Sequence, residues 1–346
     1  MSLYPLKFKP RFVEKIWGGR KLESVLGKAI PQGKPIGESW ELYDFPPGVV
    51  DKTDQWVSSL VANGPLAGRT LHSVIQEYGP AIHGDVQLLG GGQFPILLKF
   101  LDARDDLSLQ VHPDAGYVSC NTGCHLKTEA WYVLESDPGS YLYRGLKPGV
   151  SKEQFRSAIA DGSVMSLVPA VPTKPGQCFF LPSGTLHALG AGILVAEVQT
   201  PSDTTFRVFD FNRLENDMPR QLHVEEALAC IRFEDDGAPA EQRRSHAAGY
   251  FTTVTRLVTS DCFALEKVRF VEGVEQAIPY DQPVVWMMLE GQAQVRVDGL
   301  KEPLSLTKGD TILLPARMRD PVIKTLSDCA WLEVTFPLGL NTGNPA

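Results

Sequence analysis

The chain has 346 residues, a length typical of about two domains, and its 43% hydrophobic and 21% charged residues match an ordinary soluble protein. Its formal net charge of −8 argues against a nucleic-acid-binding protein, whose binding face would be basic. An acidic protein can still bind a phosphate group where a few Lys or Arg side chains converge.

The sequence contains no membrane or export signal that we can identify. No apolar run approaches the ~18 residues of a membrane helix, and MSLYPLKFKPRF lacks the apolar region of a secretory signal. The six cysteines form no CxxC pair, which is typical of free thiols in a reducing compartment. Cys120, Cys124 and His125 suggest a zinc site, but a second ligand pair is missing downstream. We therefore expect a cytoplasmic protein with no membrane partner.

Short segments rich in β-branched and aromatic residues dominate the chain from about residue 94, which predicts strands. In chain order they are PILLKFLDA, LSLQVH, EAWYVLE, SYLYRG, QCFFLP, GILVAEVQT and TFRVFDF. Helical periodicity is scarce and predicts helices only near 71–79, 151–162 and 224–231. Ser151 suits the N-cap of the second helix.

The polar stretch 235–249 predicts a linker before a second strand-rich region. That region contains YFTTVTRLV, CFALEKVRF, PVVWMML, AQVRVDG, LSLTKGDTILLP and CAWLEVTF. Its segments 284–291 and 308–320 align with 129–136 and 175–187 of the first region. An internal duplication is the simplest explanation of both alignments.

These patterns predict a mainly β protein with a few short helices, in which the first strand-rich region forms a barrel or sandwich and the second forms another barrel. The predicted parts are N-terminal strands and a short helix (1–95), a first strand-rich domain (96–213), a helix and linker (214–248) and a second strand-rich domain (249–346).

Four polar residues of the first region suggest a metal site. Gln110 and His112 are two apart in LSLQVHPD, so strand alternation places both side chains on one face. Glu129 begins the next apolar segment, Lys127 shares its face, and His187 follows a turn in LPSGTLH. Two imidazoles, one carboxylate and one amide oxygen suit Zn²⁺, with Mn²⁺, Fe²⁺ or Co²⁺ as alternatives.

The spacing G-x5-P-x-G-x2-H over 176–187 resembles the second motif of the cupin family, although Ala191 stands where that motif usually has Asn. The first cupin motif usually has His-x-His, and here Gln110 replaces its first His. This form is the pattern of the class I mannose-6-phosphate isomerases, and the chain resembles their compact bacterial form over nearly its whole length. The resemblance rests on IWGGRKL, GESWEL, LLKFLDARDDLSLQVHPD, KTEAWYVLE, LPSGTLHALG and QTPSDTTFRVFDFNR, in this order.

The resemblance implies a bicupin of two jelly-roll-like barrels: a catalytic metal-binding cupin (96–213) and a second, metal-free cupin (249–346) that serves in packing, in covering the first barrel or in an oligomer contact. It also implies the interconversion of mannose 6-phosphate and fructose 6-phosphate through a cis-enediol. A cation stabilises the negative charge that develops on the sugar oxygens of such an intermediate. The implied metal ligands are Gln110, His112, Glu129 and His187. The implied catalytic and substrate-binding residues are Arg207, Lys127, Glu197, Lys99 and Ser108.

The resemblance leaves the proton carrier open. Lys127 could serve if the charges of the metal and Arg207 favour its neutral form. Glu197, which alternation in GILVAEVQT places on the face of Gln199, is a second candidate, and a water molecule on the metal is a third. For the phosphate we choose Lys99 and Ser108, although Lys99 could also be an ordinary strand-end lysine.

Other residues have simpler alternative interpretations. Arg207 could form a surface ion pair with Asp203 or Asp210 rather than contact substrate. The remaining histidines outside the motif segments are expected on the solvated surface: His72, His83, His223 and His246.

The second region supports the assignment of the metal to the first. Aligning Val284 with Glu129 places Leu265 and Lys267 opposite the Gln-x-His pair, and the second motif places Asp320 opposite His187. Because none of the ligands is retained, we expect this region to bind no metal.

Two other functions remain in competition. An iron-dependent cupin dioxygenase uses a similar barrel, but usually with three histidines. A non-catalytic sugar-phosphate-binding bicupin is the second alternative, and a storage-protein-like bicupin is a weaker one. In every case we expect a small-molecule ligand, no nucleic acid, and a monomer or homodimer.

Overall fold

The structure is a computed structural model that describes residues 2–50, 53–215, 217–234 and 244–337, without the side chains of 244–248. The chain divides into two compact units, each assembled from separated segments. The central unit comprises 11–40 and 96–241, and the flanking unit comprises 1–10, 41–95 and 242–346. Helices among the described residues are all too short or too polar to span a membrane.

Strands dominate the secondary structure, which confirms a mainly β fold. The strands are β1 (Leu6–Lys7), β2 (Arg11–Gly19), β3 (Ile36–Leu42), β4 (Asp44–Phe45), β5 (Val57–Ser58), β6 (Leu97–Ala103), β7 (Leu109–Val111), β8 (Glu129–Ser136), β9 (Tyr141–Arg144), β10 (Ala170–Pro172), β11 (Cys178–Leu181), β12 (His187–Ala188), β13 (Ile193–Gln199), β14 (Phe206–Phe209), β15 (Leu214–Glu215), β16 (Met218–Pro219), β17 (Arg244–Gly249), β18 (Thr252–Thr259), β19 (Ala264–Phe270), β20 (Glu275–Ala277), β21 (Val284–Glu290), β22 (Gln292–Arg296), β23 (Leu304–Thr307), β24 (Thr311–Leu314), β25 (Val322–Thr325) and β26 (Cys329–Thr335).

Helices are few and short, as the sequence predicts. The α-helices are α1 (Lys21–Ser24), α2 (Leu71–Tyr78), α3 (Pro80–His83), α4 (Ala115–Cys120), α5 (Lys152–Asp161) and α6 (Val224–Cys230), and single 3₁₀ turns occupy Gly64–Leu66, Gly90–Gly92 and Val164–Leu167. The three predicted helices correspond to α2, α5 and α6. The short helices α1, α3 and α4 were not predicted, because four to six residues are too few to show helical periodicity.

The central unit pairs a six-stranded sheet (order β11-β8-β13-β6-β2-β3) with a five-stranded sheet (order β10-β9-β12-β7-β14). Large side chains such as Trp131 of the first sheet and Leu142 of the second meet in one buried core. On the other face of the five-stranded sheet, Leu109 and Phe206 pack with Phe155 of α5 and with α6. Both faces of that sheet are therefore covered by protein.

The flanking unit contains a seven-stranded sheet (order β1-β24-β21-β26-β19-β18-β17) and a four-stranded sheet (order β20-β25-β22-β23). Trp286 and Trp331 of the larger sheet share a buried core with Val295 and Ile323 of the smaller. These pairings form open sheets among the described residues, and closure into barrels stays a prediction.

The two units repeat one strand arrangement, which supports the predicted duplication. In the central unit β13 lies between β8 and β6, and in the flanking unit β26 lies between β21 and β19. Side chains repeat as well: Trp131 Nε1 donates to Glu197 at 2.9 Å, and Trp286 Nε1 donates to Glu333 at 3.0 Å.

The strand order corrects the predicted residue alignment of the second region. Because β19 takes the place of β6, Leu265 and Lys267 correspond to residues of β6 and not to Gln110 and His112. The loops that separate these strands differ in length between the two units, so a single offset could not align all of them.

Part of the segment predicted as a linker forms a strand in the structure. Residues 244–249, expected as the end of a linker, form β17 paired with β18, whereas 235–243 lie outside the described residues. The predicted division of the chain into four consecutive parts stays a prediction. In the structure, each of the two compact units combines separated segments of the chain. All six cysteines are free, as expected.

Removing the N-cap of α5 should destabilise the protein. Ser151 Oγ accepts from the Gln154 N–H at 3.2 Å, and Gln154 Oε1 accepts from the Ser151 N–H at 2.9 Å, which satisfies two otherwise unpaired donors. Ser151→Ala should lower the free energy of unfolding by about 1 kcal/mol in urea titrations. Ser157→Ala, on the exposed face of the same helix, is the control and should change it by less than about 0.5 kcal/mol. Equal effects of the two variants would contradict the capping role.

Candidate metal centre

The inner face of the five-stranded sheet carries three of the predicted site residues. Gln110 of β7 lies directly opposite His187 of β12 and Arg207 of β14 in the strand register. Directly opposed residues of paired strands point to the same side of a sheet. Since the neighbouring Leu109 and Phe206 pack outward against the helices, alternation directs the three polar side chains toward the six-stranded sheet.

The facing side of the six-stranded sheet carries the other half of the site. Glu129, the first residue of β8, lies opposite Gln199 of β13, and two residues further on Trp131 lies opposite Glu197. Glu197 lies in turn opposite Lys99 of β6. All five side chains therefore share one face of this sheet, and each of them is buried.

Glu129, His112 and His187 converge in a buried cluster. Glu129 Oε1 lies 3.0 Å from His187 Nε2, and Glu129 Oε2 lies 3.7 Å from His112 Nε2. The three ligand atoms all lie within 4.8 Å of one another, and among the described residues no other group of this kind occurs. Cys120, Cys124 and His125, for which the sequence favours ordinary side chains over a zinc site, form no such group among the described residues.

The two imidazole rings are oriented by backbone carbonyls. His112 Nδ1 lies 3.0 Å from the Thr204 carbonyl oxygen, and His187 Nδ1 lies 2.8 Å from that of Thr185. A carbonyl can only accept, so Nδ1 of each ring carries the proton and Nε2 of a neutral ring presents a lone pair. Burial, with a contribution from Lys127, lowers the pKa of His112 to about 3, which keeps this ring neutral.

This arrangement fits a bound cation. Neither carboxylate oxygen of Glu129 receives a hydrogen bond of acceptable geometry among the described residues, although both are fully buried. Two Nε2 atoms and a carboxylate at such short distances are stabilised by positive charge, which Lys127 supplies on one side and a cation bound between the ligand atoms would supply at the centre. Ligand bonds of about 2.1 Å would bridge separations of this size.

Gln110 and Lys127 border the cluster. The Gln110 side-chain amide lies 3.5 Å from His187 Nε2, so rotating the amide brings its oxygen to the same position. Lys127 Nζ lies 2.8 Å from Glu129 Oε2 and 3.2 Å from His112 Nε2. Burial opposes the charge of Glu129, but the Lys127 ammonium holds the pKa of the carboxyl well below its usual range.

Arg207 and Ser108 form a second part of the site. Arg207 Nε donates to Ser108 Oγ at 3.2 Å, and Nη1 donates to the Gln221 carbonyl at 2.9 Å. The suggested partner Asp210 instead binds Arg213 and Arg220. Arg207 therefore forms no ion pair with Asp210. In the strand register Arg207 lies directly opposite Gln110, on the inward side of the sheet.

Lys99 is a buried residue within β6 rather than a strand-end lysine. Its Nζ lies 3.2 Å from Glu197 Oε2 and 3.7 Å from Glu38 Oε2. Trp131 Nε1 donates to the other oxygen of Glu197 at 2.9 Å. Burial opposes the charge of Lys99, but the two carboxylates raise its pKa, so the lysine is fixed as a cation.

The structure thus brings all nine predicted site residues onto two facing surfaces of the central unit. Three of the histidines expected in solvent are partly buried: His72 stacks on Trp56 at 3.5 Å, and His83 and His223 are half-buried. The side chain of His246 lies outside the described residues.

Comparison with known proteins gives matches to one family. The family profile described as "Phosphomannose isomerase type I, catalytic domain" matches residues 5–139. A mannose-6-phosphate isomerase of Streptococcus mutans is 36% identical over 90% of this chain and 92% of its own length. The mannose-6-phosphate isomerase ManA of Bacillus subtilis is 32% identical over 95% of this chain and 98% of its own length.

The chain belongs to the type I mannose-6-phosphate isomerase family. A solved structure of the Bacillus subtilis mannose 6-phosphate isomerase superimposes with a TM-score of 0.83 at 32% identity, covering 96% of this chain and all of that one. A putative mannosephosphate isomerase from Archaeoglobus fulgidus shares the fold with a TM-score of 0.72 at 21% identity, over 97% of this chain and 99% of that one.

Several residues of the site in this family member were not found from its sequence. The carbonyls of Thr185 and Thr204 orient the histidines, but a backbone acceptor leaves no signal in residue type. Glu38 lies in the family segment GESWEL, which could have suggested it, yet its contact with Lys99 depends on β3 joining the same sheet as β6. Trp131 lies in the segment 129–136 that aligns with the second region, but nothing in the sequence indicates that it donates to Glu197.

Glu38 should stabilise the protein in a pH-dependent way. Although burial opposes its charge, Lys99 and Lys15 lower the pKa of Glu38 from 4.5 to about 2. A depressed carboxyl pKa stabilises the fold above the unfolded value near 4.5, and this contribution is lost as the pH falls toward 2. Glu38→Gln should therefore lower the free energy of unfolding at pH 7 by about 3 kcal/mol, with the difference from wild type shrinking below pH ~4.5.

Denaturant titrations between pH 2 and pH 7 measure this difference. Glu14→Gln is the matched control, because Glu14 forms an exposed pair with Lys34 at 2.9 Å and should change stability by less than about 1 kcal/mol. A constant gap between wild type and Glu38→Gln across this range would contradict the assignment.

Proposed function

We propose that the chain catalyses the interconversion of mannose 6-phosphate and fructose 6-phosphate through a cis-enediol. The observation that carries this proposal is the buried cluster of Glu129, His112 and His187 beside the Arg207–Ser108 pair. The names of relatives that match over nearly the full chain support the same reaction.

We propose that Gln110, His112, Glu129 and His187 hold one divalent cation, with Zn²⁺ as the first choice. Two neutral imidazoles and a single carboxylate suit Zn²⁺, and the resulting site keeps a net positive charge. When bound, such a cation supplies Lewis-acid stabilisation of negative charge on the sugar oxygens.

Arg207 is proposed to bind the developing charge or a substrate oxygen. A guanidinium donates two parallel hydrogen bonds in a fixed geometry, which suits both carboxylate-like enediolates and phosphates. The Ser108 hydroxyl orients Arg207 through Nε and leaves Nη2 for the ligand. Burial lowers the pKa of Arg207, but an arginine remains charged at physiological pH.

Lys127 is the better supported of the two side-chain candidates for the proton carrier. Glu197 Oε1 accepts from Trp131 and Oε2 lies 3.2 Å from Lys99 Nζ, so this carboxylate pairs with Trp131 and Lys99 rather than with the proposed metal ligands. Lys127 Nζ instead contacts Glu129 and His112. Glu197 and Lys99 then act as the charged wall of the substrate site.

The finer details of fold and setting are proposals as well. We propose that the facing sheets of each unit are cupin-type jelly rolls, because the strand arrangement around β13 recurs around β26. The flanking copy is proposed to bind no metal. Six free cysteines support a reducing, cytoplasmic setting, and a monomer or homodimer stays our prediction.

The alternative of an iron-dependent dioxygenase has less support. The metal sites of such dioxygenases usually contain three histidines, whereas here Gln110 takes the place of one of them. A purely sugar-phosphate-binding protein would need no buried proton-transfer residue such as Lys127 beside the cluster.

Removing His187 should abolish both metal and activity. We expect purified protein to convert mannose 6-phosphate in a coupled assay, to lose activity on chelation and to regain it with Zn²⁺ or Mn²⁺. His187→Ala should retain less than about 1% of the metal and of kcat/KM, since it removes a ligand and its lone pair. Asp320→Ala, the aligned position of the flanking unit, is the control and should keep both within about twofold. Wild-type protein that contains a full equivalent of metal but does not convert mannose 6-phosphate would contradict the isomerase assignment.

Removing Arg207 should separate binding of metal from catalysis. Arg207→Ala should keep one equivalent of metal but lower kcat about 10²–10³-fold, the usual effect of losing one charge-stabilising donor. Metal analysis and steady-state kinetics on the same preparation measure both quantities. Unchanged kcat would show that Arg207 has no role in the reaction.

A further inference from the structure

The flanking unit contains a cleft of about 810 Å³ that the proposed reaction does not use. It is lined by residues before β21, the loop between β24 and β25, and parts of α2 and the N-terminal segment. Its size lies within the ~300–1,000 Å³ of typical small-molecule sites.

The cleft lies at the loops that correspond to two of the segments bearing the metal centre in the central unit. In the central unit, site residues stand just before and at the start of β8 (Lys127 and Glu129) and at the end of the loop from β11 to β12 (His187). The flanking counterparts are Tyr280 and Asp281 before β21 and 316–320 between β24 and β25, and these line the cleft. The duplicated fold has therefore kept an open end here while losing the ligands.

The cleft does not extend into the interior. Tyr280 OH donates to Glu333 Oε2 at 2.7 Å, and the same oxygen accepts from the buried Trp286. Val284, aligned with Glu129, is packed in the core. A ligand would therefore lie at the mouth and contact the polar side chains there.

Two arginines supply unused positive charge. Arg317 and Arg319 line the cleft and are exposed, and neither guanidinium has a hydrogen-bond or ion-pair partner among the described residues. The Arg317 backbone is fixed, because its N–H donates to the Ala81 carbonyl at 3.0 Å. Two guanidinium groups separated by one residue on an anchored loop are suited to a phosphate.

The remaining lining groups suit a sugar. The carboxylates of Asp281 and Asp320 share the cleft, and carboxylates accept hydrogen bonds from hydroxyl groups. Tyr78 and Tyr280 add aromatic surface, against which the apolar face of a sugar ring packs. Because the two acids offset the two arginines, a simple anion such as phosphate gains less here than a ligand that carries hydroxyl groups as well.

We infer that this cleft is a second, non-catalytic binding site for a phosphorylated hexose. Arg317 and Arg319 bind the phosphate, and Asp281 and Asp320 accept from the hydroxyls. The site is independent of the metal cluster, since it shares no residue with it. Each chain then binds two sugar phosphates, one in each unit.

Equilibrium dialysis of the full-length protein against radiolabelled mannose 6-phosphate tests the inference. Wild type should bind two equivalents, and Arg317→Ala/Arg319→Ala should bind one at the same concentration, with at least about a tenfold loss of affinity at the second site. The double variant should keep kcat/KM within about twofold, since neither residue belongs to the catalytic machinery. Arg256→Ala/Arg269→Ala removes two exposed arginines of the same unit and should keep both equivalents.

One equivalent in wild type, or two in Arg317→Ala/Arg319→Ala, would overturn the inference. Competition arms with glucose 6-phosphate, fructose 6-phosphate, inorganic phosphate and mannose distinguish the ligand: only the sugar phosphates should displace the label at equal concentration. Displacement by inorganic phosphate alone would contradict the assignment of a sugar. If wild type shows no isomerase activity but Arg317→Ala/Arg319→Ala still binds one equivalent of sugar phosphate fewer than wild type, the proposed reaction is refuted and the second binding site is supported.

Discussion

Three buried electron-pair acceptors, on Glu129, His112 and His187, lie close together in the central unit. Their mutual repulsion is the constraint on which the rest of the site depends. Each of the two histidines donates through Nδ1 to a backbone carbonyl, and this orientation turns Nε2 of each ring toward Glu129. Both oxygens of Glu129 are left without a satisfactory donor, although Lys127 lies 2.8 Å away. Such a cluster costs free energy in a closed fold unless a cation binds it.

The two facing sheets solve the problem of placing these acceptors. Strand alternation turns Gln110 and His187 inward from one sheet while their apolar neighbours pack under α5 and α6. Glu129 comes from the other sheet, whose strands β8, β13 and β6 also carry Trp131, Glu197 and Lys99 in register. Because both sheets pack on buried cores, the site residues stand on regular, well-packed elements.

The strands, the three longer helices and the residues of the cluster could be predicted from the sequence, because alternation and motif spacing are local signals. Contacts that depend on which strands become neighbours could not be predicted. Glu38 reaches Lys99 only because β3 joins the sheet of β6, and the interleaving of the two units has no local signature. The wrong alignment of Leu265 and Lys267 has the same origin: loop lengths decide which strand takes which place. Both units keep a Trp–Glu hydrogen bond, but the residue opposite the glutamate differs between them. Lys99 lies opposite Glu197, whereas Glu266 lies opposite Glu333.

X-ray absorption spectroscopy of the zinc-loaded full-length protein tests the central claim most directly. The account predicts one Zn²⁺ per chain with only nitrogen and oxygen ligands near ~2.0–2.2 Å and the scattering pattern of two imidazoles. Glu129→Gln should lose that spectrum together with most of the bound metal. A sulfur shell near ~2.3 Å, or an unchanged spectrum in Glu129→Gln, would place the metal elsewhere and contradict the account.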